Sequence, residues 1–214
     1  SHRLDAVLAG SDLVEERVES YYGIDATVAY CPVDTFSFDQ QDSDGYYLML
    51  TRIVPEKRVK LVIEAVNELG LPLKIAGTPT GSSQEYAIEC RKLAGDTVEF
   101  LGWVEGTDKQ ELLAKSEALI FAAEREDFGM PPVEAMASGK PVVGVNEGYT
   151  KHQIIEGKNG YLFTPTHESL TTALRKMDTK QWDSAEIQKQ ARQYDVRVVR
   201  RQWIQTIRQV TDRC

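Results

Sequence analysis

No stretch of this sequence reaches the roughly 20 consecutive apolar residues that a membrane-spanning helix requires. Cysteine is scarce: Cys31, Cys90 and Cys214 are an odd number, far apart, with no CxxC pair. The first absence excludes a helical membrane span in these residues. The second argues against structural zinc or a disulfide framework and fits a reducing compartment. An excess of positive charge is also missing. Lys and Arg number 25 against 33 Asp and Glu, a formal net charge of −8, so no basic face for general nucleic-acid binding is implied. There is no initiator Met and no signal-peptide pattern, and the opening Ser1-His2 reads as an expression remnant. Internal repeats and low-complexity tracts are absent.

What is there is ordinary for a globular chain: 214 residues, 42% hydrophobic and 27% charged, enough for one large domain with or without appendages. Short β-rich runs recur between helical patterns. Strands are predicted at 5–10, 26–31, 46–50, 73–77, 98–102, 118–123, 141–145 and 161–163. Between them, "KRVKLVIEAVNELG" puts Val59, Val62, Ile63, Val66 and Leu69 on one face and ends at Gly70, a natural C-cap. "SSQEYAIECRKLAG" behaves similarly and ends at Gly95, while "TDKQELLAKS" offers Thr107 as an N-cap. Apolar strands alternating with helices predict a parallel sheet covered on both faces, a doubly wound α/β domain.

Three segments follow. Residues 1–39 hold a helix near 12–22, two short strands and a linker-like "CPVDTFSFDQQDSDG". Residues 40–180 are the α/β unit. Residues 181–214 form one or two polar helices, with Val196, Val199, Trp203, Ile207 and Val210 as an apolar stripe. A helix packed on its own domain accounts for that stripe, and so does one that also faces another lobe.

The stretch "EREDFGMPPVEAMASGKPVV" (124–143) carries the chemistry. It places Glu126 and Glu134 eight positions apart, across a Phe128-Gly129 turn and the pair Pro131-Pro132. The strand before it ends near 123, so the loop lies at the carboxyl edge of the sheet, where ligands of open α/β sheets bind. Pro131 and Pro132 suit the first helical positions. The N–H groups near Gly129 and Met130 then point at an anion, and Glu134 falls in the first helical turn. Carboxylates there suit the vicinal hydroxyls of a sugar. Acids at a helix N-terminus are also favoured by the dipole alone, so spacing leaves both roles open.

The stretch resembles the signature of the retaining family 4 glycosyltransferases, and the resemblance runs from about residue 5 to residue 177. Such enzymes pair two Rossmann-like lobes in the GT-B arrangement, and this motif belongs to the C-terminal, donor-binding lobe. On the residues alone, Arg52 and Lys57 in "LTRIVPEKRVKLVIEAV" share the same sheet edge and could neutralise a diphosphate, or could be part of a solvated basic run with Arg58 and Lys60. The family has an Arg and a Lys at these places for the donor diphosphate. Thr51 and Arg58 stand where Gly is common, and the Lys57-Arg58 variant resembles that of mannose-transferring members. "LKIAGTPTG" and "VEFLGWVEGTD" end in glycine turns. Gly77 there would permit close approach by a ligand, and the resemblance brings Trp103 and Val104 beside the nucleoside base. A core-edge role for Trp103 fits equally. Tyr149 and His152 replace a common Gly and Glu, and no role is assigned to His152.

The resemblance therefore implies a glycosyltransferase that moves a hexose, mannose first, from a nucleotide sugar with retention. GDP-mannose is the expected donor and a UDP-hexose the second choice. No cofactor and no metal are expected. Glu126 would face the sugar, Arg52 and Lys57 the departing diphosphate, and Glu134, Phe128, Gly129, Met130, Gly77, Trp103 and Val104 the rest of the donor. The N-terminal lobe, which takes a glycan or lipid-linked acceptor, is expected to lie outside this chain, which alone should be inactive. A cytoplasmic enzyme, or one peripheral at a membrane, is expected. The rivals are an epimerase of the same fold and a nucleotide-sugar-binding module without turnover.

Overall fold

The apolar runs become strands, and their neighbours decide where each stops. The computed structural model describes residue 4 and residues 6–211. In chain order the elements are β1 (Leu8–Ala9), α1 (Asp12–Tyr22), β2 (Thr27–Val28), β3 (Tyr46–Leu50), α2 (Val59–Leu69), β4 (Leu73–Ala76), α3 (Gln84–Leu93), β5 (Val98–Gly102), α4 (Gly106–Lys115), β6 (Ser116–Phe121), α5 (Met130–Ala137), β7 (Val142–Val145), α6 (Thr150–Gln153), β8 (Gly160–Phe163), α7 (His167–Met177), α8 (Ser184–Ala191) and α9 (Val196–Thr211). Strands β3 to β8 form one six-stranded sheet in the order β5-β4-β3-β6-β7-β8. Every pairing in it is parallel. This is the doubly wound fold that the sequence predicts.

Alternation along each strand feeds two separate cores. Tyr47, Met49, Ile75, Ala118, Ile120 and Val143 pack under α2, α3 and α7. Tyr46, Leu48, Leu119, Phe121 and Val142 pack under α4, α5 and α8. Successive side chains point to opposite faces, so a strand covered on both sides must be apolar throughout. That is why β3 reads YYLML without a polar residue. Helix α2 buries Val59, Val62, Ile63, Ala65 and Val66, and each of the larger side chains contributes about 1.5–3 kcal/mol.

Several boundaries differ from expectation. Gly70 closes α2 in the left-handed region as predicted. Helix α3 instead stops at Leu93 with Ala94 as its cap; the Gly95 N–H is taken by the Asn67 side chain. Thr107 is not the N-cap of α4. Glu105 holds that position, and no side chain caps the helix, because the Glu105 carboxylate accepts the indole N–H of Trp103 at 3.0 Å. Helix α5 begins at Met130, after Gly129 at φ 79°, so Glu134 sits in its second turn rather than its first. Helix α7 was not predicted, although Leu170, Ala173, Leu174 and Met177 give it a buried stripe.

The flanking segments pack on the same body. Strands β1 and β2 make a two-stranded parallel sheet, shorter than the predicted runs; Asp5 lies outside the described residues. Ser11 ends β1 by capping α1, its side chain accepting from the Val14 N–H. The linker-like segment is tied down: Val33 bridges to Asp195, and the Thr35 hydroxyl and N–H both donate to the Asp195 carboxylate. In α9, Val199 is buried while Trp203 and Ile207 are 39% and 54% exposed. The side chain of Val210 is outside what the structure describes. Among the described residues no helix is long and apolar enough to cross a membrane.

Candidate functional site

Strands β3 and β6 lie side by side, and the chain leaves them towards opposite edges of the sheet. Their carboxyl ends therefore open a crevice, as strand-order reversal does in any doubly wound sheet. From β3 come Arg52 and a 3₁₀ turn, Pro55–Lys57. From β6 comes the loop with Glu126 and Phe128, leading into α5. The two loops are stitched where the Glu124 N–H donates to the Glu56 carbonyl at 2.8 Å.

Both glutamates of the signature are held by lysines. Lys57 Nζ lies 2.5 Å from Glu126 Oε2, and Lys109 Nζ lies 2.7 Å from Glu134 Oε1. The basic run around Lys57 is mostly engaged. Lys60 pairs with Glu89. Arg58, in the left-handed region at φ 51°, donates to the Ala122 carbonyl and to Glu147, which explains how an arginine serves where glycine is common. Arg52 alone in that run makes no ion pair among the described residues, and it is exposed.

A cavity of about 380 Å³ opens beside this cluster, with Arg52, Gly77, Trp103, Val104, Met130 and Glu134 in its wall. Six of the ten expected site residues thus meet there. Lys57 and Glu126 form their pair at the same strand ends without lining it. Trp103 is 68% exposed, so it is not a core-edge aromatic. Gly77 has a cause other than the expected ligand approach: at φ 147°, a Cβ there would lie 1.8 Å from the Thr51 carbonyl oxygen. The glycine lets two strand ends touch.

Phe128 is a correction. It is buried and stacks on Tyr149 with centroids 5.6 Å apart. It meets Tyr194 edge-on and Tyr30 at a tilt, so its ring faces an aromatic cluster instead of the crevice. Burial pushes the phenols of Tyr149 and Tyr194 up, that of Tyr194 to about 12. These groups therefore stay neutral and structural at physiological pH. Tyr149, the departure at a common Gly, fills the cluster and donates to Asp12.

That cluster helps to hold the Glu126 loop. The Tyr149 N–H donates to the Glu126 carbonyl at 2.8 Å, Ser11 Oγ to the Asp127 carbonyl at 2.6 Å and Gln153 Nε2 to the Gly129 carbonyl at 3.1 Å. Gly148 permits the first of these, since a Cβ there would lie 2.5 Å from the Glu126 carbonyl oxygen. Arg17 pairs with the Asp127 carboxylate. Fixing these three carbonyls leaves the Glu126 side chain on a rigid base, which a preorganised site needs. Pro131 and Pro132 carry no N–H, so the free donors at the mouth of α5 reduce to Gly129 and Met130.

Residues 33–194 match the family described as group 1 glycosyl transferases. The chain belongs to that family. The family relationship extends to mannosyltransferases at partial coverage. An α-1,3/1,6-mannosyltransferase ALG2 from Dictyostelium discoideum is 37% identical over 44% of this chain and 21% of its own length. The O-antigen chain mannosyltransferase RfbU of Salmonella typhimurium is 27% identical over 86% of this chain and 50% of its own. The chain thus spans about half, or less, of the curated relatives it matches. Among solved structures, Anabaena HepE in complex with UDP and glucose superposes with a TM-score of 0.83 at 20% identity, over 95% of this chain and 62% of that one. This likeness establishes the fold of a GT-B lobe.

Sequence reasoning missed Lys109. A lysine in the first turn of a polar helix reads as solvated, and only the buried carboxylate that it meets singles it out. Arg58 and Glu147, which lock the β6 loop, were missed for the same reason.

Proposed function

We propose that this chain is the donor-binding half of a retaining glycosyltransferase that takes a hexose from a nucleoside-diphosphate sugar. The observation that carries the reading is the meeting, at one strand-order switch point, of Arg52, the Lys57–Glu126 pair and a cavity walled by Glu134. Cleaving the anomeric C–O bond builds positive charge on the sugar and negative charge on the diphosphate. Arg52 and Lys57 stabilise that leaving group, aided by the N–H groups of Gly129 and Met130. When the diphosphate draws Lys57 away, Glu126 is released to face the oxocarbenium-like carbon. Glu134 accepts from the ribose hydroxyls, while Trp103 and Val104 border the base. The acceptor, a glycan or a lipid-linked sugar, attacks from the same face and is held by the other half of the enzyme. No metal or resident cofactor enters this reading, and the enzyme works in the cytoplasm or at a membrane surface.

Mannose from GDP-mannose is the first choice of donor and a UDP-hexose the second. The mannosyltransferase names of ALG2 and RfbU support the first, and the UDP and glucose held by HepE keep the second in view. Titrating GDP, UDP and their sugars into this chain by calorimetry tests the reading. Saturable binding of a nucleoside diphosphate is expected; no heat with either GDP or UDP would sink it.

A further inference from the structure

Glu134 is a buried carboxylate, 8% exposed, in the wall of the cavity assigned above to the nucleoside. An ionised carboxylate so placed is costly unless it is paired. Among the described residues its side chain has one partner, the ammonium of Lys109, on Oε1 at 2.7 Å. The other oxygen, Oε2, accepts no bond from any described residue and is not sealed from solvent. The lysine reaches it from the first turn of α4, and both side chains border the same cavity. Neither is free to swing far, with 30% and 11% side-chain exposure.

We propose that Lys109 is a positioning residue for nucleoside recognition: it holds Oε1 of Glu134 so that the carboxylate presents Oε2 to the hydroxyl pair of a ribose. This rests on the donor-site reading and adds to it a residue that the signature does not contain. The chemistry favours a lysine. Its ammonium is a point donor that can occupy one carboxylate oxygen and leave the second open, whereas a guanidinium fork tends to engage both. The ammonium also offsets the cost of setting a carboxylate in a poorly solvated wall, and a carboxylate offers acceptors to two hydroxyls at once. The ammonium retains two further protons, and Lys109 lines the same cavity. Lys109 and Glu134 therefore act as one unit for the sugar of the nucleoside and not for its phosphates.

The test uses the whole chain and compares ligands that differ only at the ribose. Calorimetry is run with GDP and UDP and with their 2′,3′-dideoxy analogues, on the native protein, Lys109→Met, Glu134→Gln and the double variant. Lys109→Met is expected to lose about tenfold or more in affinity for the ribonucleotide, the scale of a charge-assisted contact. It should lose less than about twofold for the dideoxy analogue, and nothing further once Glu134 is already Gln. An equal loss for both ligands would assign Lys109 to the phosphates or the base and overturn the proposal. Undiminished affinity for the ribonucleotide would overturn it too. Should Lys109→Met fail to fold, Lys109→Gln carries the same comparison with a smaller loss. Native protein that binds neither GDP nor UDP would instead sink the donor-site reading, an outcome distinct from any pattern among the variants.

Discussion

Lys57 and Glu126 stand 2.5 Å apart, so an anion that recruits Lys57 must compete with a carboxylate already there. Arg52, exposed and without an ion pair among the described residues, carries no such competitor. The two cations should therefore respond differently to mutation. Arg52→Ala is expected to weaken GDP binding by about 1.5–3 kcal/mol, the loss of a charge-assisted contact. Lys57→Ala should cost at least as much, since it also leaves Glu126 facing the diphosphate with its charge uncompensated. Glu126→Gln removes the competitor, so GDP affinity should hold or rise while transfer by the full-length enzyme collapses. Calorimetry on the three variants decides, and a Glu126→Gln protein that binds GDP tenfold worse would refute the exchange. Glu126, Glu134, Arg52 and Lys57 were legible in sequence because their residue types fit the chemistry at the right chain positions, whereas Lys109 was not. The pairing of these groups was not either, because Lys57 and Lys109 lie far from their partners along the chain.

Among the elements, the strands were the most legible part, since a sheet covered on both faces forces continuous apolar runs whose limits show as turns. Helix limits were less so. A cap depends on which side chain a neighbour has already claimed, as Glu105 and Gly95 show. Contacts between segments were invisible: the 31–45 stretch reads as a linker, yet Thr35 anchors it on Asp195. This carboxylate is 2% exposed. Burial works against its charge, but hydrogen bonds from Thr35 and from Arg197 outweigh it and hold the carboxyl below the usual 3.8. A depressed folded value means that the stabilisation is present above the unfolded value and fades as pH falls through the folded one. Asp195→Asn should cost about 1.5–3 kcal/mol at pH 7, and the gap from the native protein should narrow below about pH 4. Urea titrations of both proteins from pH 7 to pH 3 measure it; a gap that is constant across that range would contradict the linkage. Gly77→Ala should be worse, because no rearrangement of a side chain relieves a clash with the Thr51 carbonyl.

At the scale of the whole molecule, a crevice opens at the strand-order switch, but the chain spans only half of the RfbU length. Rate in group transfer depends on aligning an acceptor with the donor, and effective molarity is lost when one reactant has no site. Binding and turnover should accordingly separate. Incubated with donor and acceptor, this chain should bind nucleotide yet transfer no sugar above background; repeated turnover would mean that the architecture is misread. Donor choice belongs to this scale too, because in the proposed reading the base would meet backbone that follows β4 and β5 rather than one side chain. Trp103, 68% exposed and tied to Glu105, offers a flat surface to any base, so stacking alone cannot separate guanine from uracil. Discrimination must come from polar atoms on the base edge, where each acceptor or donor left unpaired costs about 1–3 kcal/mol. If the site is built for guanine, uracil leaves at least one such group unmet, and GDP should bind about tenfold tighter than UDP, a gap of about 1.4 kcal/mol. A competition titration in which UDP matches or exceeds GDP would remove mannose as the donor sugar. The donor-site proposal itself would stand, since the roles it gives Arg52, Lys57, Glu126 and Glu134 concern the diphosphate, the hexose and the ribose, which both nucleotide sugars share.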